Sequence, residues 1–284
     1  MTRMYRMLNM SKQNVSRKFK RLSARATMEK QVIDLAQDIR ANHPRMGCRK
    51  MYRKCGQLIP LGRDRCEQLL LSQGFRVRFP KNHKRTTYAI GKLYYPNLIE
   101  GLTVEGLNQV WQTDITYYEI GSDFYYLVFI EDVYSRRILG WSEDFSLWAQ
   151  ANLHALQQAI DLRKGEPLTG LIHHSDRGGQ YIDKEYVRLL KAHGIKSSMC
   201  KNAWQNAYSE RLNGIIKNEY LSAWSIKSFE ELKCAVDKAV HLYNNERPHS
   251  GLPDHLPPIQ FETKISKAAF RIKPTMKLYP HVDT

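Results

Sequence analysis

The sequence predicts an α/β domain preceded by a small, basic, helical one, and three observations carry that expectation. From residue 110 onward, three alternating β-branched and aromatic runs precede segments that switch between helical and strand-like spacing. Upstream of them, apolar residues recur at helical intervals among many lysines and arginines. Charge divides along the same line: the 284-residue chain has a formal net charge of +16, yet residues 1–92 hold 23 Lys and Arg against 5 Asp and Glu, so the rest is close to neutral. A basic segment joined to a near-neutral domain is the electrostatic footprint of a nucleic-acid-binding arm, because neutralising phosphates releases condensed counterions. A merely solvated charged surface is the plain alternative.

Residues 1–28 place Met7, Leu8, Val15, Phe19 and Leu22 among basic residues, which predicts one or two small basic helices. Across 29–78 three helical patterns follow, split by His43-Pro44 and by Ile59-Pro60-Leu61-Gly62. The first carries Val32, Ile33, Leu35, Ala36 and Ile39, the second Met51, Cys55 and Leu58, the third Leu69, Leu70 and Leu71. Short helices joined by tight turns predict a helix-turn-helix-like DNA-binding domain. Arg63 and Arg65 then begin the last helix, where such folds read the major groove, while Arg49, Lys50, Arg53 and Lys54 on the preceding helix suit phosphate contacts. Residues 79–105, basic and then aperiodic, read as a linker.

The α/β remainder is assigned to 106–264, with a C-terminal tail at 265–284. Val110–Ile120, Phe124–Tyr134 and Arg136–Glu143 read as strands, the first two joined by Gly121-Ser122-Asp123, so they predict an antiparallel meander. A helix is expected over 147–163, a strand over 168–175 ending at Asp176, a helix over 184–193, a strand over 195–200 and a helix over 207–221. Phe229, Leu232, Val236, Val240 and Tyr243 form the core-facing stripe of a last helix that Arg247-Pro248 ends. A meander followed by alternating helices and strands is the order of a ribonuclease-H-like fold. There the first strand is central, the fourth lies beside it, and a later helix crosses their ends.

In that arrangement Asp114, Asp176 and Glu210 would meet at one edge of the sheet. Carboxylates converging from a strand, a strand end and a helix start suit Mg²⁺-assisted attack on a phosphodiester: Mg²⁺ prefers hard oxygen ligands, and two ions can activate the nucleophile and stabilise the leaving oxygen. Each residue also has a structural reading, Asp176 as a turn residue before Arg177-Gly178-Gly179, Glu210 as an exposed first-turn residue, and Asp114 as the partner of a nearby base.

Cys48, Cys55, Cys66, Cys200 and Cys234 are odd in number and lack a CxxC pair, which argues against a disulfide framework and a zinc site. The longest strongly apolar stretch, Phe124 to Ile130, is far short of a membrane span, and the opening MTRMYRMLNMSK has no apolar run of signal-peptide length. A cytoplasmic protein with no membrane partner is the expectation. His173 and His174 lack cysteine partners at ligand spacing and make a weak metal pair.

WQTDITYY (111–118), HHSDRGGQY (173–181), NAYSERLNGIIKNEYL (206–221) and YNNERPHSGL (243–252) follow one another along the chain. In that order, over residues 106–260, they resemble the integrase-core domain of bacterial insertion-sequence transposases, the second-frame (OrfB) products of the IS-three family. RANHPRMGCRKMYRKC, within 37–55, resembles the helix-turn-helix that precedes that core. The resemblance implies that Asp114, Asp176 and Glu210 are the metal-binding DDE triad, with Mg²⁺ as the cofactor, two ions, and Mn²⁺ able to substitute. It implies that Lys217 contacts the DNA end and that Asn213 shares its helix face. The implied partners are double-stranded DNA, namely an element's terminal inverted repeats and a target, a second copy of the chain on paired ends, and an upstream-frame product or fusion.

Two features depart from the pattern. Thirty-three residues separate Asp176 from Glu210, slightly fewer than in the family, and CKNAWQNAY replaces the usual Gly/Pro-containing loop, leaving residues 200–206 open. Trp204 in that loop either stacks on DNA or packs. Tyr243, Arg247, Pro248 and His249 read as structural. The function expected is strand cleavage and 3′-OH strand transfer at insertion-sequence ends. The competing readings are another ribonuclease-H-like nuclease and a non-catalytic DNA-binding regulator from a decayed element.

Overall fold

The computed structural model describes residues 11–78, 94–146, 149–267 and 274–279, and the chain divides into two compact units, residues 1–79 and 80–284. The first unit is built from α1 (Lys12–Asn42), α2 (Cys48–Cys55) and α3 (Arg63–Ser72). Ser11 caps α1, its hydroxyl accepting from the Asn14 N–H at 3.2 Å. Where one or two small helices and a boundary at residue 28 were expected, one 31-residue helix runs through. No Gly or Pro interrupts it, and Val32, Ala36 and Ile39 in its second half are buried. That packing stabilises the helix, and the basic first half is solvent-exposed, with Phe19 67% exposed. Met7 and Leu8 lie outside the described residues.

Pro44 ends α1, and the Arg40 guanidinium ties the corner by donating to the Pro44 and Phe75 carbonyls at 2.5 and 2.7 Å. Met46, Met51, Ile59, Leu61, Cys66 and Leu70 complete the core of this unit. All five cysteines are free.

The second unit holds β1 (Thr103–Val104), β2 (Val110–Ile120), β3 (Asp123–Asp132), β4 (Ile138–Asp144), α4 (Ala149–Leu162), β5 (Ile172–Ser175), α5 (Lys184–Ala192), β6 (Lys196–Met199), α6 (Ala207–Ile215), α7 (Phe229–Asn245), α8 (Pro258–Ser266) and β7 (Met276–Lys277). Its five-stranded sheet has the order β4-β3-β2-β5-β6. β2, β3 and β4 pair antiparallel, whereas β5 pairs parallel with β2, and β6 with β5. This is the ribonuclease-H-like topology.

Two-residue alternation on β3 divides the core. Val128 and Ile130 pack with Trp111, Leu156, Tyr186 and Leu190 on the α4/α5 side. Leu127 and Phe129 pack with Leu212, Ile216, Val236 and Tyr243 on the α6/α7 side. A Cβ on Gly140 would lie 2.0 Å from the Ala155 carbonyl oxygen, so only glycine lets β4 and α4 approach this closely.

Several element boundaries differ from expectation for identifiable reasons. Arg136, at φ 62°, belongs to a turn and not to a strand, because the Asp132 carboxylate accepts from the Ser135 and Asn108 N–H groups, both at 2.7 Å. β5 begins at Ile172, although Leu168 and Leu171 before it are buried. Residues 147–148 of the expected helix, 79–93 of the expected linker, and 268–273 and 280–284 of the tail fall outside the described residues. The rest of the linker and tail is structured: β1 pairs with β7, and Ile99, Val104 and Leu278 are fully buried with Val110, Val133 and Phe261. Helix 207–221 is also not uniform. α6 stops at Ile215, and a π-helical turn, Ile216–Tyr220, and a 3₁₀ turn, Leu221–Ala223, follow.

Candidate active site

The parallel register explains how two distant aspartates become neighbours. Gln112 is level with His174 on the last rung joining β2 to β5. Asp114 and Asp176 each lie two residues farther along, Asp114 on the β2 face of Gln112 and Asp176 just past the end of β5, beyond the last rung that joins the two strands. α6 crosses this point. Asn206 Nδ2 donates to the Thr113 carbonyl at 3.2 Å and Asn213 Nδ2 to Asp114 Oδ2 at 3.0 Å. Glu210 stands between them in the first turn of α6, exposed, and near enough for its charge to act on Asp114.

Electrostatics register the convergence. Burial first, then the charges of Asp176 and Glu210, push the Asp114 carboxyl up to about 8, against the Ile115 N–H and the Asn213 amide, which lower it. Asp176 is raised by burial and held partly down by the Gly178 N–H, which donates to its Oδ1 at 3.0 Å. Glu210, the most exposed of the three, is raised by partial desolvation. A buried carboxyl whose ionised form is destabilised by two neighbouring carboxylates belongs to a hard-oxygen donor set suited to a divalent cation. Among the described residues no three acidic, histidine or cysteine side chains are gathered closely enough to hold an ion together. The fit therefore rests on donor chemistry and charge.

Lys217 Nζ donates to Thr116 Oγ1 at 3.2 Å and sits 4.4 Å from the centroid of the Tyr117 ring. Thr116 is two residues along β2 from Asp114, on the same face. Burial lowers the Lys217 pKa. Asn213, expected to share the helix face of Lys217, is buried, and its Nδ2 donates to Asp114. Asn213 and Lys217 both reach β2, a contact that helical spacing could not reveal. The loop at 200–206 closes as a 3₁₀ turn over Ala203–Asn206 with a reciprocal Asn202/Gln205 capping box. Trp204 is 50% exposed and meets Tyr279 edge-on at 5.7 Å.

His173 and His174 are buried and pair with the Tyr186 hydroxyl at 3.0 Å and Ser198 Oγ at 2.9 Å. Burial drives their pKa values down to about 3 and about 4, so both are neutral core residues. In the first unit Arg49, Arg63 and Arg65 are exposed and pair with Glu67 at 2.8 Å, Asp64 at 2.7 Å and Glu29 at 3.8 Å. Such surface pairs contribute little to stability. Lys50 lies beside Arg49 in the first turn of α2. Unanticipated were Asn206, Thr116 and Tyr117. Their signal was positional: Asn206 stands one helical turn before Glu210, and Thr116 and Tyr117 lie within three residues of Asp114.

Sheet order and crossing helix together define an integrase-core-like, ribonuclease-H-type fold. Two descriptions of the integrase core domain match the chain, over residues 105–203 and 193–258. The transposase InsF of insertion sequence IS3A from Escherichia coli K12 is 34% identical over 200 residues, covering 69% of this chain and 68% of that one. The transposase of IS629 from Shigella sonnei is 31% identical over 225 residues, covering 78% and 75%. The 31 kDa protein of insertion element IS600, also from Shigella sonnei, is 33% identical over 220 residues, covering 76% of each. Among solved structures, the HTLV-2 integrase catalytic core in complex with magnesium aligns at 25% identity, covering 55% of this chain and 97% of that one with a TM-score of 0.44. The chain belongs to the IS3-type bacterial insertion-sequence transposases with an integrase core.

Proposed function

We propose that this chain cleaves DNA strands at the ends of an insertion sequence and joins the freed 3′-OH to a target phosphodiester, using Asp114, Asp176 and Glu210. The observation that carries the reading is the electrostatic convergence of these three carboxyls where β2 and β5 part. They would hold Mg²⁺, two ions in the full site with Mn²⁺ able to substitute; bound there, the metal supplies activation of the attacking oxygen and stabilisation of the leaving one. Asn213 orients the Asp114 carboxylate by its hydrogen bond, and the Gly178 N–H fixes one oxygen of Asp176. Lys217, fixed by Thr116 and Tyr117, supplies positive charge beside the scissile phosphate. The same geometry serves hydrolysis and joining, because in-line displacement needs only a change of nucleophile from water to a 3′-OH.

The basic first third supplies non-specific duplex affinity, with Arg49, Lys50, Arg63 and Arg65 placed to contact it. The proposed substrate is double-stranded DNA bearing terminal inverted repeats, bound by a homo-oligomer on paired ends, with an upstream-frame product as a further partner. No helix among the described residues is long and apolar enough to cross a membrane, in keeping with a bacterial nucleoid location. The test is strand transfer with the DNA flanking the gene, comparing the wild type with Asp114→Asn, Asp176→Asn and Glu210→Gln. Loss of cleavage and joining with DNA binding retained is expected. Retention by any one variant removes that residue from the triad, and a wild type that binds the ends without cutting them supports a regulator instead.

A further inference from the structure

The YNNERPHSGL segment has no part in the chemistry above, yet it reaches the catalytic helix. Arg247, just beyond α7, donates from Nε and Nη2 to both oxygens of Glu219, at 2.7 and 2.9 Å. Both residues are buried, and the guanidinium lies 5.6 Å from the centroid of the Tyr243 ring. Glu219 belongs to the π-helical turn Ile216–Tyr220, and so does Lys217. π turns are rare, carry poorer hydrogen bonding than α-helix, and concentrate at functional sites.

Residues two apart on a helix do not face each other. The turn is therefore gripped from two sides: Lys217 on one, against Thr116 Oγ1 and the Tyr117 ring, and Glu219 on the other, against Arg247. A third tie, from the Tyr118 hydroxyl to the Leu221 carbonyl at 3.1 Å, holds the end of the turn to β2. Phe124 meets Tyr117 edge-on at 5.7 Å, so the ring under Lys217 is itself braced.

We propose that Arg247 is a positioning residue for the catalytic helix: through its buried bidentate pair with Glu219 it holds the π turn that delivers Lys217 to Thr116 and Tyr117 beside Asp114. A lysine could supply the charge at position 247 but not the two-pronged geometry, since an ammonium is a point donor and a guanidinium a planar fork. Without the fork, the turn can relax to α-helical spacing. That rotates position 217 away from the ring and the hydroxyl.

The inference rests on the DNA-facing role proposed for Lys217, and two readouts keep the two ideas apart. The first is the salt dependence of binding by the full chain to a short random-sequence duplex. Lys217→Ala and Arg247→Lys are each expected to lower the slope by about one, and the double variant to lower it no further, because both remove the same phosphate contact. Additive losses, or a wild-type slope in folded Arg247→Lys beside a lowered slope in Lys217→Ala, overturn the proposal. The second readout needs no DNA: amine acylation at Lys217, followed by mass spectrometry with the exposed Lys227 as internal reference. Slow labelling in the wild type, rising to the Lys227 rate in Arg247→Lys, is expected, and an unchanged rate overturns the proposal.

Should Lys217→Ala leave the salt slope untouched, the DNA role of Lys217 fails and labelling alone decides the positioning role. Should Arg247→Lys not fold, the Glu219→Met/Arg247→Met pair replaces the buried ions by packed apolar side chains, a kind of exchange that folds tolerate. It is expected to free Lys217 equally. A slow-labelling Lys217 in that variant would show that Arg247 serves stability alone.

Discussion

Asp114 and Glu262 are acidic residues of one unit, and the fold treats them in opposite ways. Burial alone would raise Glu262, but hydrogen bonds and charge from Arg163 and then Arg137 overcome it and hold the carboxyl below its ordinary value. Arg137 Nη1 reaches Glu262 Oε2 at 2.5 Å, and Arg163 holds both carboxylate oxygens. Asp114 receives neutral donors only partly offsetting burial and two further carboxyls, and rises to about 8. A fully partnered carboxylate serves packing, here tying α8 to the domain, and offers nothing to a ligand. One left repelled by its neighbours costs stability and keeps its oxygens available to a cation.

The largest expected effect breaks that contrast at the cleft. Asp114→Asn, Asp176→Asn and Glu210→Gln should each abolish Mg²⁺-dependent cleavage and joining, measured by gel assay on flanking DNA. Asp114→Asn should at the same time raise the melting temperature of the metal-free protein. A carboxyl raised in the folded state keeps its proton when folded and loses it when unfolded. Wild-type stability therefore falls as pH climbs from the ordinary carboxylate range towards about 8. The variant's advantage should grow over that window, and added Mg²⁺ should shrink it. A variant that melts below the wild type at pH 8 without metal would mean that Asp114 is an ordinary structural residue.

Glu262→Gln should do the reverse. Removing the charge leaves two arginines facing a neutral group, one of them buried, and should cost roughly 3 kcal/mol of folding stability by denaturant titration. Activity per folded molecule should be unchanged. Because the folded-state pKa is lowered, the wild-type contribution is present above the ordinary glutamate value and fades as pH falls through the lowered one, so the two proteins should converge in acid. A loss of turnover equal to that of Asp114→Asn would erase the distinction between the two carboxylates.

Smaller effects sharpen the division between the two units. A chain beginning at Leu93 should lose most of its non-specific duplex affinity and the steepness of its salt dependence, since it sheds the basic excess. Equal affinity and slope in the shortened chain would place the DNA grip elsewhere. The smallest expected change is at one surface cation: Lys227→Ala, outside the catalytic helix and exposed, should leave joining of a pre-cleaved end unaltered where Lys217→Ala weakens it. Equal activity of the two variants would return Lys217 to the ordinary surface.

Elements whose formation depends on local chemistry were legible in the residues. β2 spans Val110–Ile120, the range that alternation predicts, and α7, Phe229–Asn245, begins with the predicted apolar stripe and ends just before Arg247-Pro248. α7 also carries a local start signal, Ser228, whose hydroxyl accepts from the Glu231 N–H at 3.2 Å. The order of strands and helices followed from the same patterns, and with it the expectation that Asp114, Asp176 and Glu210 converge.

What depended on residues far apart in the chain was decided only by tertiary structure. Local patterns could not tell that α1 would run unbroken through residue 28, because its exposed half borrows stability from Val32, Ala36 and Ile39 packing in the other half. The tail's return to β1, with Gln112 Nε2 donating to the Tyr279 hydroxyl at 3.1 Å across 167 positions, leaves no periodic trace. Nor does the π turn, whose residues read as ordinary helix until Arg247 meets Glu219 and Lys217 meets Tyr117. Hydrophobic period and capping are properties of neighbours along the chain, and the residues display them directly. Hydrogen-bond and charge partners are properties of neighbours in space, so the inward turn of Asn213 onto Asp114 and the raised carboxyl itself exist only once β2, β5 and α6 have come together.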